Sequence, residues 1–221
     1  MNGFSNSPKL LKGGLVVLDA ASGVAKRTIA LQYNPDTLTR SYQVQGAGGD
    51  GGAERAQPFR LKGPAIESIK LEADIDATDS LEHPEQNAHA VAFGIAPQLA
   101  VLESLVNPTT RELLALNALA QSGTVEILPP AAPLVLFIWG ASRVVPVRVT
   151  EFSITEEAFD VALNPIRAKV SLGLRVLTTD DLGFDNRGGG IFINYLRTRE
   201  ALAGKTGAAS LQSLGLSNLP Q

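Results

Sequence analysis

The sequence of 221 residues contains no cysteine, which excludes disulfide bonds, thiolate zinc sites and thiol catalysis. Its two histidines, His83 and His89, do not have the H-E-x-x-H spacing of a zinc protease, so surface or capping roles are expected for both. The G-x-S-x-G motif of serine hydrolases is also absent. The sequence therefore predicts a protein that is not an enzyme, with no catalytic residues, bound metal or cofactor.

The sequence also has no excess of positively charged residues. Lys and Arg number 19 against 22 Asp and Glu, for a net charge of −3, whereas nucleic-acid binding needs a basic patch that displaces counterions. The longest apolar run, Leu134–Trp139, is far shorter than the roughly 18 residues that cross a bilayer. The apolar stretch Leu15–Leu18 ends at Asp19, so it is too short to be the apolar region of a signal peptide. We expect no nucleic-acid partner, no direct membrane insertion, and cytoplasmic synthesis without a signal peptide.

The patterns that are present indicate β-strands. Leu15–Leu18 and Thr28–Tyr33 are rich in aliphatic and β-branched residues and flank the turn residues 20–23, which predicts a hairpin. In the segment Ser68–Asp76 apolar and charged residues alternate strictly, as in a strand with one buried face. Further strands are predicted at Leu38–Val44, Thr124–Leu128, Leu134–Trp139, Arg143–Ile154 and Pro165–Thr178.

Two of these strands carry additional signals. Leu134–Trp139 does not alternate, so both of its faces should be covered. In Arg143–Ile154 the apolar residues change parity, which a β-bulge near Thr150-Glu151 would explain. Between the strands, residues 46–57 hold five glycines and are expected to form an exposed loop rather than a dinucleotide site, because no apolar helix follows them.

A short helical insertion is expected between Asp76 and Thr124. Thr78, Asp79 and Ser80 are residue types that cap helix N-termini, and Pro97 suits the first turn of a second helix, which Asn107-Pro108 should end. The predicted fold class is mainly β, a barrel or sandwich with this insertion and a C-terminal helical arm.

Glu72, Asp74 and Asp76 form an acidic row on the polar face of one predicted strand. A metal site would need further ligands converging from elsewhere. The basic row Arg167, Lys169 and Arg175 offers a simpler set of cross-strand partners. We expect the charged rows to face solvent, a tube lumen or each other, with the aliphatic residues in the core. In both segments the charged residues of these rows alternate with apolar residues.

The composition changes near residue 180, which suggests residues 1–179 as a β domain and 180–221 as a linker, a helix and an assembly tail. The predicted helix Ile191–Ala203 has an apolar stripe but cannot form a core alone. A frayed terminus is the alternative, but leucines are costly to leave in water. The residues expected to bind a partner are Ile191, Tyr195, Leu196, Leu202, Leu211, Leu214, Leu216 and Leu219.

Four segments, in this order, resemble the N-terminal domain of contractile injection system tube proteins. They are Leu31–Arg40 with its Q-Y-N-P turn, Leu61–Pro64 with a G-P step, Glu67–Asp79 ending in D-A-T-D, and Pro97–Glu103. The resemblance covers about residues 9–178. Several members of this family carry a C-terminal LysM module, but residues 180–221 lack its Tyr-x-Val start and G-D-T-L turn.

This resemblance implies a phage-tail-tube-like β-barrel that acts as a structural subunit of a bacterial phage-tail-like particle, either released or retained in the cell. The implied position is a tube-initiating ring at the baseplate, a homo-hexamer that joins the spike or hub to the inner tube and contacts other baseplate proteins. One alternative is the main inner-tube protein, disfavoured because such proteins are usually shorter and lack such a tail. From a different class, a β-barrel ligand- or glycan-binding module would need an aromatic-rich groove, whereas the 12 aromatic residues are scattered.

Overall fold

The structure is a computed structural model that describes residues 10–19, 23–46, 61–122, 133–207 and 209–219. Its described residues form a mainly β fold, as predicted, in which every strand pairing is antiparallel. The strands are β1 (Gly14–Leu18), β2 (Ala25–Ala30), β3 (Leu38–Gln43), β4 (Ile66–Asp76), β5 (Leu134–Ile138), β6 (Val144–Phe159) and β7 (Pro165–Val176).

These strands form one sheet in the order β2-β1-β5-β6-β7-β4-β3. The predicted hairpin is confirmed, since β1 pairs with β2, although residues 20–22 of its turn lie outside the described residues. The sequence-local hairpins β1–β2, β3–β4, β5–β6 and β6–β7 are joined by two long-range pairings, β1 with β5 and β4 with β7. The strands β2 and β3 therefore lie at the two edges of the sheet.

The Q-Y-N-P turn connects these two edge strands. The Gln32 amide donates a hydrogen bond to the Asp76 carbonyl oxygen at 2.7 Å and accepts one from the Asp76 N–H at 2.9 Å. The Asn34 side chain accepts a hydrogen bond from the Gly13 N–H at 2.8 Å and donates one to the Leu11 carbonyl oxygen at 2.7 Å. Two polar side chains of the motif thus bond main-chain groups at the end of β4 and before β1, which holds the connection in place.

Alternating residues of β4 and β7 form part of the core, together with residues of β1, β5, β6, the helix Ala96–Glu103 and the helix Arg187–Ala203. Ile69, Leu71 and Ile75 are buried, whereas Glu72 and Asp74 on the other face are exposed. The predicted cross-strand charges are confirmed at two positions, where Asp74 faces Lys169 and Asp76 faces Arg167, the second pair in an ion pair of 2.7 Å. Glu72 instead faces Ser171, and Arg175 faces Ser68 and bonds Asp181.

The expected features of β5 and β6 are confirmed. Val135, Leu136 and Phe137 are all buried, so both faces of β5 are covered. The pairing of β6 with β7 shifts register between Val149 and Glu151, where the β-bulge was predicted. The predicted strand Thr124–Leu128 and residues 47–57 of the predicted glycine loop lie outside the described residues.

The helical insertion is larger than predicted. A fourth helix follows Asn107-Pro108, and it begins with a capping box in which Thr109 and Glu112 bond each other's main-chain N–H groups. The first helix is not capped by a side chain of its own N-terminal residues; the Asp76 carboxylate accepts the Thr78 N–H instead. The helices are α1 (Thr78–Leu81), α2 (Ala88–Phe93), α3 (Ala96–Glu103), α4 (Thr110–Gln121), α5 (Thr179–Leu182) and α6 (Arg187–Ala203), followed by a 3₁₀ turn at Leu211–Leu214.

Helix α6 begins four residues earlier than the expected Ile191. The Asn186 side chain caps it by accepting the Gly188 N–H at 2.8 Å. A Cβ at Gly189 would lie 2.0 Å from the Gly183 carbonyl oxygen, so only glycine permits this close approach of the two segments. The glycine run that reads as a linker in the sequence is therefore the first turn of a packed helix.

Candidate assembly surfaces

A buried carboxylate fixes α6 to the sheet. Glu67 on β4 is 3% exposed, and its Oε1 accepts a hydrogen bond from Arg40 Nε on β3 at 2.6 Å. The Tyr195 hydroxyl on α6 donates to Glu67 Oε2 at 3.1 Å, and Arg199, one turn further along α6, lies 3.6 Å from the same oxygen. Because burying an unpaired charge is costly, these contacts make the position of α6 depend on β3 and β4.

Aromatic rings surround this cluster. The Arg199 guanidinium lies 5.2 Å from the ring centre of Tyr42 and 5.4 Å from that of Tyr195, distances typical of cation–π contacts. Burial, together with the negative charge of Glu67, raises the pKa of Tyr195 to about 12, so its hydroxyl stays protonated and able to donate well above neutral pH. The ionic groups of the cluster are engaged with each other, which suits a structural clamp.

The predicted partner-binding residues occupy different environments. Tyr195 is buried in the chain's own core, next to the buried Phe192, which sequence analysis did not select. Ile191 and Leu196 are half-buried, and Leu202 is exposed. Phe192 precedes Tyr195 by three residues, a spacing that places both side chains on one helix face, so helical periodicity was the available signal.

The tail after α6 exposes its leucines. The Ser210 side chain caps the 3₁₀ turn by accepting the Ser213 N–H, and Gly215, with φ of +76°, ends it in the left-handed region that favours glycine. The exposed fractions run from 39% to 71% for Leu211, Leu214, Leu216 and Leu219. The tail is thus a folded turn with an uncovered apolar surface.

A second exposed apolar feature is the loop between β6 and β7. The Asp160 carboxylate accepts hydrogen bonds from the Ala162 N–H at 2.7 Å and from the Asn164 N–H and side-chain amide, each at 2.8 Å. These bonds lower the pKa of Asp160, with the Asn164 side chain as the largest cause. They hold Leu163 at a φ of +64° and present apolar side chains to solvent. The exposed apolar residues are Val161 and Leu163 of this loop and Phe159 at the end of β6.

An apolar groove lies beside the Glu67 cluster, between α6 and the β3–β4 edge of the sheet. Its volume is about 470 Å³. We call it the α6 groove; its apolar lining consists of Tyr42, Pro64, Ala65, Phe192, Leu196 and Ala203. Arg199 and Glu200 form its polar border.

The two edges of the sheet differ in charge. Edge strand β2 carries Lys26 and Arg27, which are exposed, whereas on edge strand β3 the charged residue Arg40 points to Glu67. Basic residues on an edge discourage uncontrolled strand pairing. In the part of the chain that is described, β2 and β3 each pair with one neighbouring strand only. Among the described residues, each therefore has one row of main-chain groups without a strand partner.

The described ranges contain no group of three or more side chains placed to ligate a metal ion. Within the acidic row of β4, Asp76 forms an ion pair with Arg167 and accepts a hydrogen bond from the Thr78 N–H. Within the same ranges, no helix has the length and apolarity needed to cross a bilayer.

Comparison with protein families identifies a match. The sequence model for contractile injection system tube proteins matches residues 17–183, which run from β1 to the end of α5. Helix α6 and the tail follow the matched range. A comparison with curated proteins finds no match.

Proposed function

The chain belongs to the contractile injection system tube protein family, and we propose from this that it forms a ring at the baseplate, between the spike or hub and the inner tube. Its tube-type structural role in a contractile injection system follows from the family match, which covers all seven described strands in part or in full. The ring, its sixfold symmetry and its baseplate position are the proposal.

The open sheet edges support a ring. Strands β2 and β3 are different surfaces of one subunit, so a contact between β2 of one copy and β3 of the next would be head-to-tail. A head-to-tail contact that closes by rotation gives a ring and leaves no edge exposed. We propose a homo-hexamer on this basis, with further contacts to the spike or hub, the inner tube and other baseplate proteins.

Residues 180–221 are proposed to serve assembly, chiefly through the tail after α6. The chain itself covers Ile191, Tyr195 and Leu196 to different extents. In contrast, Leu202 and the four tail leucines are exposed. Burying each leucine side chain is worth roughly 1.5–3 kcal/mol. A neighbouring subunit or baseplate protein that covers these partly exposed leucines would gain part of this free energy, which favours an arm over a frayed terminus.

The second candidate is the main inner-tube protein, which the family description also fits. The copy number separates the two proposals, because a tube initiator forms one ring per particle and an inner-tube protein repeats along the whole tube. The α6 helix and tail beyond the family-matched range favour the initiator, since an additional segment suits contacts that occur once, at the baseplate.

Electron microscopy of purified particles tests this proposal. We expect density for the sheet in one sixfold ring directly below the inner tube. Density that repeats along the tube would favour the inner-tube protein instead. One copy per particle, or a position only on a threefold spike, would contradict the ring.

A further inference from the structure

An exposed apolar patch lies at the end of the sheet where β6 turns into β7. The segment that carries α1 and α2 is anchored there at both of its ends, because the Ala77 N–H donates to the Ile166 carbonyl oxygen at 2.9 Å and the Ile95 N–H donates to that of Pro165 at 2.8 Å. Phe159 pairs with Pro165 across the β6–β7 hairpin. Five large apolar side chains at this end, each at least 47% exposed, are here called the end patch: Val91, Phe93, Phe159, Val161 and Leu163.

The part of the end patch in the β6–β7 loop is ordered by the chain's own hydrogen bonds. The Asp160 carboxylate accepts the main-chain N–H groups of Ala162 and Asn164, and Leu163 has a φ of +64°, a conformation uncommon for residues other than glycine. The Leu163 side chain is nevertheless 78% exposed, so the fold of the chain itself gains little from a leucine at this position. An ordered loop that presents apolar side chains in this way indicates a surface that another molecule covers.

The two segments that carry the end patch are strongly acidic. Residues 77–95 and 155–165 contain six Asp and Glu residues and no Lys or Arg. The rest of the chain then has 19 Lys and Arg against 16 Asp and Glu, so the negative charge of the chain is concentrated at this end. Asp79, Glu82 and Glu156 form no ion pair with the described residues.

This combination of apolar and acidic side chains selects a class of partner. Nucleic acids and anionic bilayers would be repelled by the carboxylates, and so would the same end of a second copy. The complementary surface is a protein surface on which Lys and Arg surround apolar side chains, because opposite charges steer the encounter and apolar burial stabilises the contact.

The ring of the proposed function points this end of the sheet along the ring axis. Its subunits meet through strand edges, so the edges lie around the circumference and the strands run, with a tilt, along the axis. Loops at strand ends, such as the β6–β7 loop, then lie on one of the two axial faces of the ring. An axial face meets the adjoining ring of the particle rather than the next subunit of the same ring.

We propose that the end patch docks on the adjoining ring of the particle, which is formed by a different protein and presents apolar side chains surrounded by Lys and Arg. This inference rests on the ring of the proposed function and names the surface through which that ring stacks. The competing arrangement is a stack of copies of this chain, which belongs to the inner-tube alternative.

Photo-cross-linking in purified particles tests the contact directly. The variant Val161→benzoylphenylalanine places a photoreactive ring at the fully exposed tip of the loop, where substitution should leave the fold intact. After irradiation we expect one covalent product that joins this chain to a different particle protein, identified by mass spectrometry. Ser142→benzoylphenylalanine, in the exposed turn between β5 and β6, is the control and should not give that product.

The outcomes separate this inference from the proposed function. A cross-link to another copy of the chain, or no cross-link in particles that contain the chain as one ring, would overturn the docking of the end patch and leave the baseplate ring intact. Absence of the chain from purified particles would overturn both.

Leu163→Gly isolates the apolar contribution. Glycine suits the φ of +64°, so the urea midpoint of the purified chain should stay nearly unchanged. Loss of the leucine side chain should weaken the contact about tenfold or more per subunit and reduce the number of complete particles. Ala162→Ser in the same loop is the matched control and should assemble normally. Normal particle numbers from Leu163→Gly would overturn the docking role of the patch.

Charge reversal tests the choice of partner. Glu156→Lys, in the Val161→benzoylphenylalanine background, should lower the yield of the covalent product about threefold, the scale of a partly exposed ion pair. Asp185→Lys makes the same charge change at an exposed position before α6 and should have no effect. An equal effect of both variants would contradict a basic partner surface at the end patch.

Discussion

At the scale of single residues, Glu67 links three elements that are far apart in sequence. Its carboxylate contacts Arg40, Tyr195 and Arg199, and its parity with Ile69 and Leu71 places it on the core face of β4. Sequence alternation therefore contained a signal for its burial, but nothing in the sequence named its partners. Arg40 pairs with this buried carboxylate from β3, and docking of α6 adds the contacts of Tyr195 and Arg199.

Replacing Glu67 by Ala should lower the free energy of unfolding by about 3 kcal/mol, because it leaves the Arg40 guanidinium without its partner in a mostly buried site. Urea denaturation of the purified chain measures this. Glu151→Ala is the matched control, since Glu151 pairs with Lys70 at the surface and exposed pairs contribute less than about 1 kcal/mol. Equal effects of both variants would contradict a clamp role for Glu67.

Tyr195 should make stability fall at high pH. Its pKa is raised from 10.0 to about 12 by burial and by Glu67, so its contribution is complete below pH 10 and is lost as the pH rises through 12. The ultraviolet absorbance of tyrosinate should show one tyrosine that ionises last. Tyr195→Phe should remove this late phase; a late phase that persists in the variant would assign it to another tyrosine.

At the scale of elements, hydrogen bonds within short segments decide where apolar side chains are presented. The capping box of α4, the Ser210 cap of the 3₁₀ turn and the Asp160 turn each order a segment whose leucines or other apolar residues face solvent. These segments are ordered although their own chain does not bury their apolar side chains. An ordered segment loses less conformational entropy when a partner binds, so such a surface suits binding.

The loop between β6 and β7 should lose stability in acid. The folded pKa of Asp160 lies below its ordinary value of 3.8, so its contribution is present above that pH and is lost as the pH falls through the lowered value. Asp160→Ala should lower the urea midpoint at neutral pH, and the difference from wild type should vanish in acid. Asp185→Ala, in an exposed turn, is the control, and an equal drop for it would contradict this role.

At the scale of the whole molecule, the sheet, α3 and α6 share one core and form the body, whereas the tail contributes apolar surface that the body does not cover. The core cluster includes residues of β1, β4, β5, β6 and β7, with Phe192 and Tyr195 from α6. All tail leucines lie outside this cluster. Folding of the body should therefore be independent of the tail, and assembly should depend on it.

Deleting Gly204–Gln221 should change the free energy of unfolding by no more than about 0.5 kcal/mol, as for other changes away from the core, but should impair particle assembly. Urea denaturation and electron microscopy of particles measure the two effects. A variant with Gln212, Ser213, Ser217 and Asn218 changed to alanine keeps the leucines and should assemble normally. Fully contractile particles from the truncated chain would show that the tail is dispensable.

The sequence by itself determined the features that depend on near neighbours in the chain. Alternation at Ser68–Asp76 gave β4 its buried face, the change of parity in Arg143–Ile154 located the bulge, and the Q-Y-N-P turn pointed to the family. These predictions succeed because side-chain periodicity and turn chemistry act over a few residues. The capping box of α4 is readable in the same way, from Thr109 and Glu112, but no helix is predicted after Asn107-Pro108, the step that ends the second predicted helix.

Only the tertiary structure decided which distant residues meet. Segments separated by many residues meet in the pairings of β1 with β5 and of β4 with β7, and in the Glu67 cluster. The burial of Tyr195 also depends on such distant contacts. Gly189 at the start of α6 shows the same dependence, since it closely approaches Gly183, where a Cβ would not fit. Such contacts depend on how the whole chain packs around one core. Patterns over a few residues do not indicate which surfaces that packing buries.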